Sequence, residues 1–152
     1  MSLAQEKFLF FAHHMVVMDA IENHLRSKRT VDYIRIDGQT AGEKRHKNVR
    51  KFQCDDNCRI AILSITAASL GVTMTAASTV VFAEVHWTPA QMLQAEDRAH
   101  RIGQEHSHVN IMYLFGEDTL DEILFKMIQF KNKVVTSTLD GTNSDYKIKQ
   151  AI

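Results

Sequence analysis

The stretch RIAILSITAASLG, residues 59 to 71, decides the fold. Its first seven residues form a short run rich in branched aliphatic side chains, with no regular polar alternation, as in a strand buried on both faces. The small and hydroxylated residues that follow, ending at Gly71, suit a connector. Four other runs share the character: FLFFA at 8 to 12, YIRI at 33 to 36, TVVFAE at 79 to 84 and VNIMYLF at 109 to 115. Such strands belong to parallel sheets, whose two faces are both covered by helices.

Helical patterns fall between most of these runs. Val17, Ala20, Ile21, His24 and Leu25 predict one face of a helix before the second strand. Thr40 and Glu43 have capping-box spacing and predict a second helix, with Val49 and Phe52 facing the sheet. Thr88, Pro89 and Gln91 predict a third: a capping Thr, a Pro at the first helical position, a Gln reaching back, and a run from about Pro89 to Ile102 stopped by Gly103. Thr119 with Glu122 opens the last, whose apolar stripe is Leu120, Ile123, Leu124, Met127 and Ile128. The alternation implies an α/β fold, a mostly parallel sheet with helices on both faces. Ligands of such sheets meet the loops beyond the carboxyl ends of the strands. Here those loops read AHH (12 to 14), DGQT (37 to 40), SITAASLG (64 to 71) and EVHWTP (84 to 89).

Composition narrows the function classes. A chain of 152 residues, 45% hydrophobic and 24% charged, suits one globular domain and argues against disorder or a coiled coil. No apolar run approaches the roughly 18 residues of a membrane span, and the opening lacks a signal-peptide layout, so an intracellular protein without a membrane partner is expected. Lys and Arg number 18, as do Asp and Glu, so any phosphate contact must be local. The densest basic run, KRHKNVRK at 44 to 51, reads most simply as a solvated helix face. Cys54 and Cys58 lack two further ligands at recognisable spacing, so packing thiols are expected and no zinc. There is no internal repeat, and 141–152 read as a loose polar tail.

On the expected third helix, QAEDRAHRIGQ (94 to 104) sets Gln94, Arg98 and Arg101 on one stripe beside Ala95, Ala99 and Ile102. The small stripe can lie close to the sheet and fix both guanidiniums in direction. Asp97 stands four residues before Arg101, so an ordinary surface ion pair is the competing account. A planar guanidinium also suits a transferring phosphoryl group, whose charge spreads over its oxygens.

QAEDRAHRIGQ resembles motif VI of the Swi/Snf-type branch of superfamily-two helicases and translocases. FLFFAHHMVVMDAI resembles motif IV, RIDGQTAGEKR the segment after it, and LSITAASLGVTMTAASTVVFAE motif V and its extension, in family order across residues 8 to 104. TLDEILFKMIQFKNK is similar to the helix that braces the two lobes of these motors, here expected at 118–137 within a helicase C-terminal domain of residues 1–140. AHH, SITAAS, FAE and STLDG point to the DNA-annealing helicases, the HepA-related and zinc-finger RAN-binding-domain group.

The resemblance implies the second RecA-like lobe of an ATP-dependent DNA translocase, a three-layer fold. By position, Arg98 and Arg101 match the arginines that approach the ATP γ-phosphate and Gln94 the leading glutamine. Gly71 lies in motif V, which couples nucleotide to DNA. His13, His14, Asp37, Gly38, Arg45, Ser64 and Thr66 match positions facing the DNA backbone. ATP and Mg²⁺ are expected to be held mainly by the first lobe, since no GxxxxGK[ST] occurs here. The implied partners are that first lobe and DNA, with branched or single/double-strand junctions preferred, and the implied location is the nucleus. Two departures are Ala68 and Ser69, where many relatives carry glycines, and Thr88, where the wider family has asparagine. A non-catalytic RecA-like interaction or nucleotide-binding module is the alternative. A dehydrogenase half would need GxGxxG after the first strand, where AHHMVVM stands.

Overall fold

The computed structural model describes residues 6–29, 31–66, 73–86, 88–96, 109–116 and 118–139. In chain order they form β1 (Phe8–Ala12), α1 (Met15–Lys28), β2 (Asp32–Ile36), α2 (Gly42–Cys54), β3 (Cys58–Ser64), β4 (Thr79–Phe82), α3 (Pro89–Glu96), β5 (Asn110–Tyr113) and α4 (Leu120–Leu139). The strands make one sheet in the order β2-β3-β1-β4-β5, and every pairing is parallel. All five predicted strands are present within a residue or two of the expected bounds. The apolar runs could be read because β1, β3 and β4 are interior strands, with all of β4 buried.

Side chains alternate between two cores, as period-two geometry requires. Leu9, Phe11, Ile34, Ile36, Ala61, Leu63, Val80 and Phe82 join Phe52 of α2, Met92 of α3 and Ile128 of α4 on one face. On the other face Ala12 and Ile62 pack with Met18 of α1, flanked by Val17, Ile21 and Leu25. Helices therefore cover both faces. On the first, Phe11 and Phe82 stack at 5.4 Å and Phe82 and Tyr113 at 4.9 Å, offset-ring spacings that tie β1 through β5 to α4.

Several helix details differ from expectation. The buried residue of α1 is Met18, whereas Ala20 and His24 are exposed, so the packed stripe is Val17, Met18, Ile21 and Leu25. The capping box at Thr40 does not form. Ala41 is the residue before α2 and makes no side-chain cap, because the Thr40 hydroxyl is drawn into the preceding turn. There it donates to the Asp37 carboxylate at 2.9 Å and accepts from the Asp37 N–H at 3.0 Å. Local side-chain bonds of this kind compete with helix capping.

Pro89 does open α3, with Thr88 accepting from the Gln91 N–H. The Gln91 side-chain oxygen, however, is buried with no hydrogen-bond partner among the described residues. Thr119 caps α4 as expected, accepting from the Asp121 N–H at 3.3 Å. Glu122 reaches back one residue further than in a standard box, to the Asp118 N–H at 3.2 Å. The apolar stripe of α4 is rotated: Phe125 and Ile128 are buried, while Leu120, Ile123 and Met127 are 72%, 56% and 51% exposed. Aromatic contacts of Phe125 with Tyr113 and Phe115 set that rotation. Residues 97–108 and 140–152, with Gly103 and the expected tail, lie outside the described residues, as does the continuation of the third helix.

Candidate functional site

Parallel strands in register deliver their exits to one edge of the sheet. Ala12 pairs with Ser64, Phe11 with Leu63 and Phe82, and Ile36 with Leu63. The loops starting at His13, Asp37, Ile65 and Ala83 therefore share that edge, the one that binds ligands in open α/β sheets. After β1 the chain turns toward β2, and after β4 toward β5. The strand order thus reverses between β1 and β4, with α1 and α3 on opposite faces, which makes a topological switch point.

Glu84 bridges that point. Its carboxylate accepts from the backbone N–H groups of His13 at 2.8 Å and His14 at 2.9 Å, and meets the His14 ring nitrogen at 2.6 Å. The His14 N-cap offers no side-chain cap, so a residue 70 positions away supplies the anion at the start of α1. Burial raises the Glu84 pKa, but the hydrogen bonds from the His14 backbone, the His14 ring and the His13 backbone outweigh it, and the carboxyl titrates below the ordinary glutamate range. His13 stands between two rings, His14 at 4.8 Å and His86 at 4.7 Å. His86 is buried, its pKa lowered by burial and then by His13, and its Nδ1 accepts from the Thr88 N–H at 3.2 Å.

Glu84→Ala is expected to destabilise the chain by about 1–2 kcal/mol, the usual loss of a helix cap. The contribution has a pH window fixed by the direction of the shift. Because the folded pKa lies below the unfolded one, the stabilisation is complete above the ordinary glutamate value and is lost as pH falls through the folded value. Denaturant melts of both proteins at stepped pH should therefore converge in acid, and a constant gap would show that the cap is not ionic.

The other predicted contact residues fall into two groups. Asp37 is buried at 9% exposure, and its carboxylate accepts from Arg35, Thr40 and the Gln39 N–H, so it shapes the loop. Its pKa is raised by burial yet lowered more by the Thr40, Arg35 and Gln39 hydrogen bonds, leaving it ionised. Arg35 is itself held by Asp19, Glu22 and Asp37 at 2.6, 2.6 and 3.1 Å, which pins β2 to α1. Ser64 is buried and shares a 2.6 Å hydrogen bond with Thr66. By contrast Thr66, His13 and His14 are exposed. Gly38 is exposed too, with nothing among the described residues within 4 Å of an added Cβ, so their packing does not demand glycine and the backbone can be approached closely. Arg45 donates to the Thr40 carbonyl at 2.9 Å, while its Nε is buried without a partner among the described residues.

Arg98, Arg101 and Gly71 lie outside the described residues, as does the Gln94 side chain, although its backbone is in α3. Sequence reasoning did not single out Glu84 and His86. Both stand in EVHWTP, already marked as a strand-exit loop, and the pairing of β1 with β4 was the missing information. Among the described residues no three His, Cys, Asp or Glu side chains are grouped to hold a metal. Cys54 is exposed, and burial pushes the Cys58 thiol up to about 11, which keeps it protonated.

Comparison with known proteins follows the same lines. The family described as the helicase conserved C-terminal domain matches residues 1–103. The SWI/SNF-related matrix-associated actin-dependent regulator of chromatin subfamily A-like protein 1 homolog of Caenorhabditis elegans is 50% identical over 129 residues, covering 85% of this chain and 18% of that protein. The DNA annealing helicase and endonuclease ZRANB3 of Homo sapiens is 50% identical over 135 residues, 89% of this chain and 12% of that protein. The crystal structure of the C-terminal part of the Fun30 ATPase domain superposes with a TM-score of 0.77 at 33% identity, covering 82% of this chain and 40% of that one. The chain thus spans less than a fifth of the length of these two curated relatives.

Proposed function

The chain belongs to the helicase conserved C-terminal domain family, in its SWI/SNF-related branch, and from that premise we propose that it is the second RecA-like lobe of a DNA-dependent ATPase that moves along or anneals DNA. The observation that carries the proposal is the shared edge, where His13, His14, Gly38 and Thr66 stand exposed after the strand exits on the side that holds the topological switch point. Exposed small or polar side chains and an approachable backbone suit phosphate contacts that do not read bases. In this proposal the domain runs through residues 1–140, with the helix around 118–137 bracing the first lobe. Arg98 and Arg101 meet the γ-phosphate, Gln94 joins them in binding the nucleotide, and Gly71 belongs to the coupling segment. Guanidiniums fit the charge of ATP, but the first lobe holds its phosphates and Mg²⁺. Forks and strand junctions are the expected substrates, in the nucleus.

The isolated chain is then expected to hydrolyse no ATP and to bind duplexes of unrelated sequence equally and weakly, with affinity falling steeply as salt rises. Adding the first lobe in one polypeptide should restore DNA-stimulated turnover. Saturable turnover by the isolated chain, or a strong preference for one base sequence, would overturn this reading.

A further inference from the structure

Apart from Arg45, the basic run at 44 to 51 is not used by the strand-exit contacts, and it gathers exposed cations on one helix. Some basic side chains elsewhere are held by neighbours, Arg35 by three carboxylates, Arg26 by Glu22 at 2.7 Å and Lys7 by two carbonyls, while Lys28, Arg29 and Lys126 are exposed but not clustered on one helix face with others. On α2, only Lys51 has a carboxylate partner among the described residues, Asp32 at 2.6 Å. Lys44, Lys47 and Arg50 are exposed, and none has an ion-pair partner among the described residues. Phe52 and Val49 bury the opposite side of the helix. At 100° per residue, Lys44, Lys47, Arg50 and Lys51 fall within one outward arc of roughly 120°, which also holds the exposed Glu43 of the first turn, so the arc carries four cations against one carboxylate. In a chain whose formal charge sums to zero, this arc is a local positive surface and not part of a general field.

The arc also has a direction. α2 starts beyond the carboxyl end of β2, beside Gly38, Thr40 and Arg45, and Gly42 at its first turn has nothing within 4 Å of an added Cβ. Lys44 to Arg50 spans about 9 Å of helix rise, leading away from the strand-exit edge. We propose that the outer face of α2 is a second phosphate track. It holds the backbone of DNA that passes over the edge and turns down this helix, as one arm of a bent or branched duplex would. Lysines without carboxylate partners serve as adaptable point charges for phosphates whose register shifts during movement, and they carry no base specificity. The inference rests on the proposed DNA-binding reading and extends its surface.

The test measures DNA affinity of the full-length protein against salt for wild type and for Lys44→Gln/Lys47→Gln/Arg50→Gln, with melting temperature as the folding control. Each phosphate contact contributes about 0.9 to the slope of log K against log salt, so the triple variant should lower the slope by about 2–3 with an unchanged melting temperature. Substituting arginine at Lys44 and Lys47 should retain the slope. An unchanged slope in the triple variant, while Arg45→Ala/Thr66→Ala weakens binding, overturns the track and leaves the strand-exit reading standing. If neither variant alters binding, both readings fall. Poly-L-glutamate binding that drops in the triple variant while DNA binding does not would assign the face to an acidic protein and overturn the proposal.

Discussion

In the full-length protein, Arg98→Ala or Arg101→Ala is expected to lower DNA-stimulated ATP turnover by about 10³–10⁵-fold while leaving melting temperature and DNA affinity near wild type. That factor corresponds to roughly 4–7 kcal/mol of transition-state stabilisation. The expectation follows from the composition of the chain. Gln94, Arg98 and Arg101 have the sequence spacing expected of one helical stripe, yet no GxxxxGK[ST] motif occurs in these 152 residues to supply them with a substrate. If closure of the two lobes on ATP and DNA brings the guanidiniums to the γ-phosphate, their loss acts on the transition state and not on the fold. The competing account, a surface pair between Asp97 and Arg101, predicts a stability change of roughly 0–1 kcal/mol and normal turnover. Single-turnover rates and melts on both variants separate the accounts, and normal turnover in both would end the arginine-finger reading.

The second large effect concerns stability at the opposite edge of the sheet. Lys7→Met is expected to destabilise the chain by roughly 1–3 kcal/mol, the range set by leaving a buried acceptor without its charged donor. Lys7 is 8% exposed, just before β1, and its Nζ donates to the Phe52 carbonyl at 2.6 Å and the Asp55 carbonyl at 2.9 Å. Phe52 lies in the last turn of α2, where carbonyls have no helical partner and the macrodipole favours a cation. The ammonium also lies 5.4 Å from the centroid of the Phe52 ring, which fills the core. Asp55 retains a bond from the Cys58 N–H, so the loss falls mainly on Phe52. Methionine preserves most of the aliphatic packing, which isolates the donor's contribution. A midpoint in urea equal to wild type would show that Lys7 is merely accommodated.

Where sequence and structure agree, the signal is carried by a residue's own neighbours in the chain. FLFFA and RIAILSI could be read as strands because interior strands of a parallel sheet are apolar on both sides, so burial is written into consecutive residues. Pro89 and the Thr119 cap could be read because helix starts depend on groups within about four residues. The loop edge was legible for the same reason: parallel strands joined by helices must all exit on one side.

Tertiary structure decided the rest. Strand order is not encoded by any one run, and only the placement of β1 beside β4 brings Glu84 to the start of α1, 70 residues away. Helix rotation likewise depends on the facing surface: Met18 is buried because it meets Ala12 and Ile62, and Phe125 because Tyr113 and Phe115 receive it. Thr40 had the spacing of a helix cap, yet Asp37 took its hydroxyl, since local hydrogen bonds of similar strength compete and the fixed loop selects between them. Lys7 lay in an unremarked polar opening until the sheet set it under the end of α2. The sequence by itself determined the elements and the edge at which the strand exits gather, because periodicity and capping act over a few residues. Which distant polar groups meet was decided by strand order and packing, whose contacts join residues far apart in the chain.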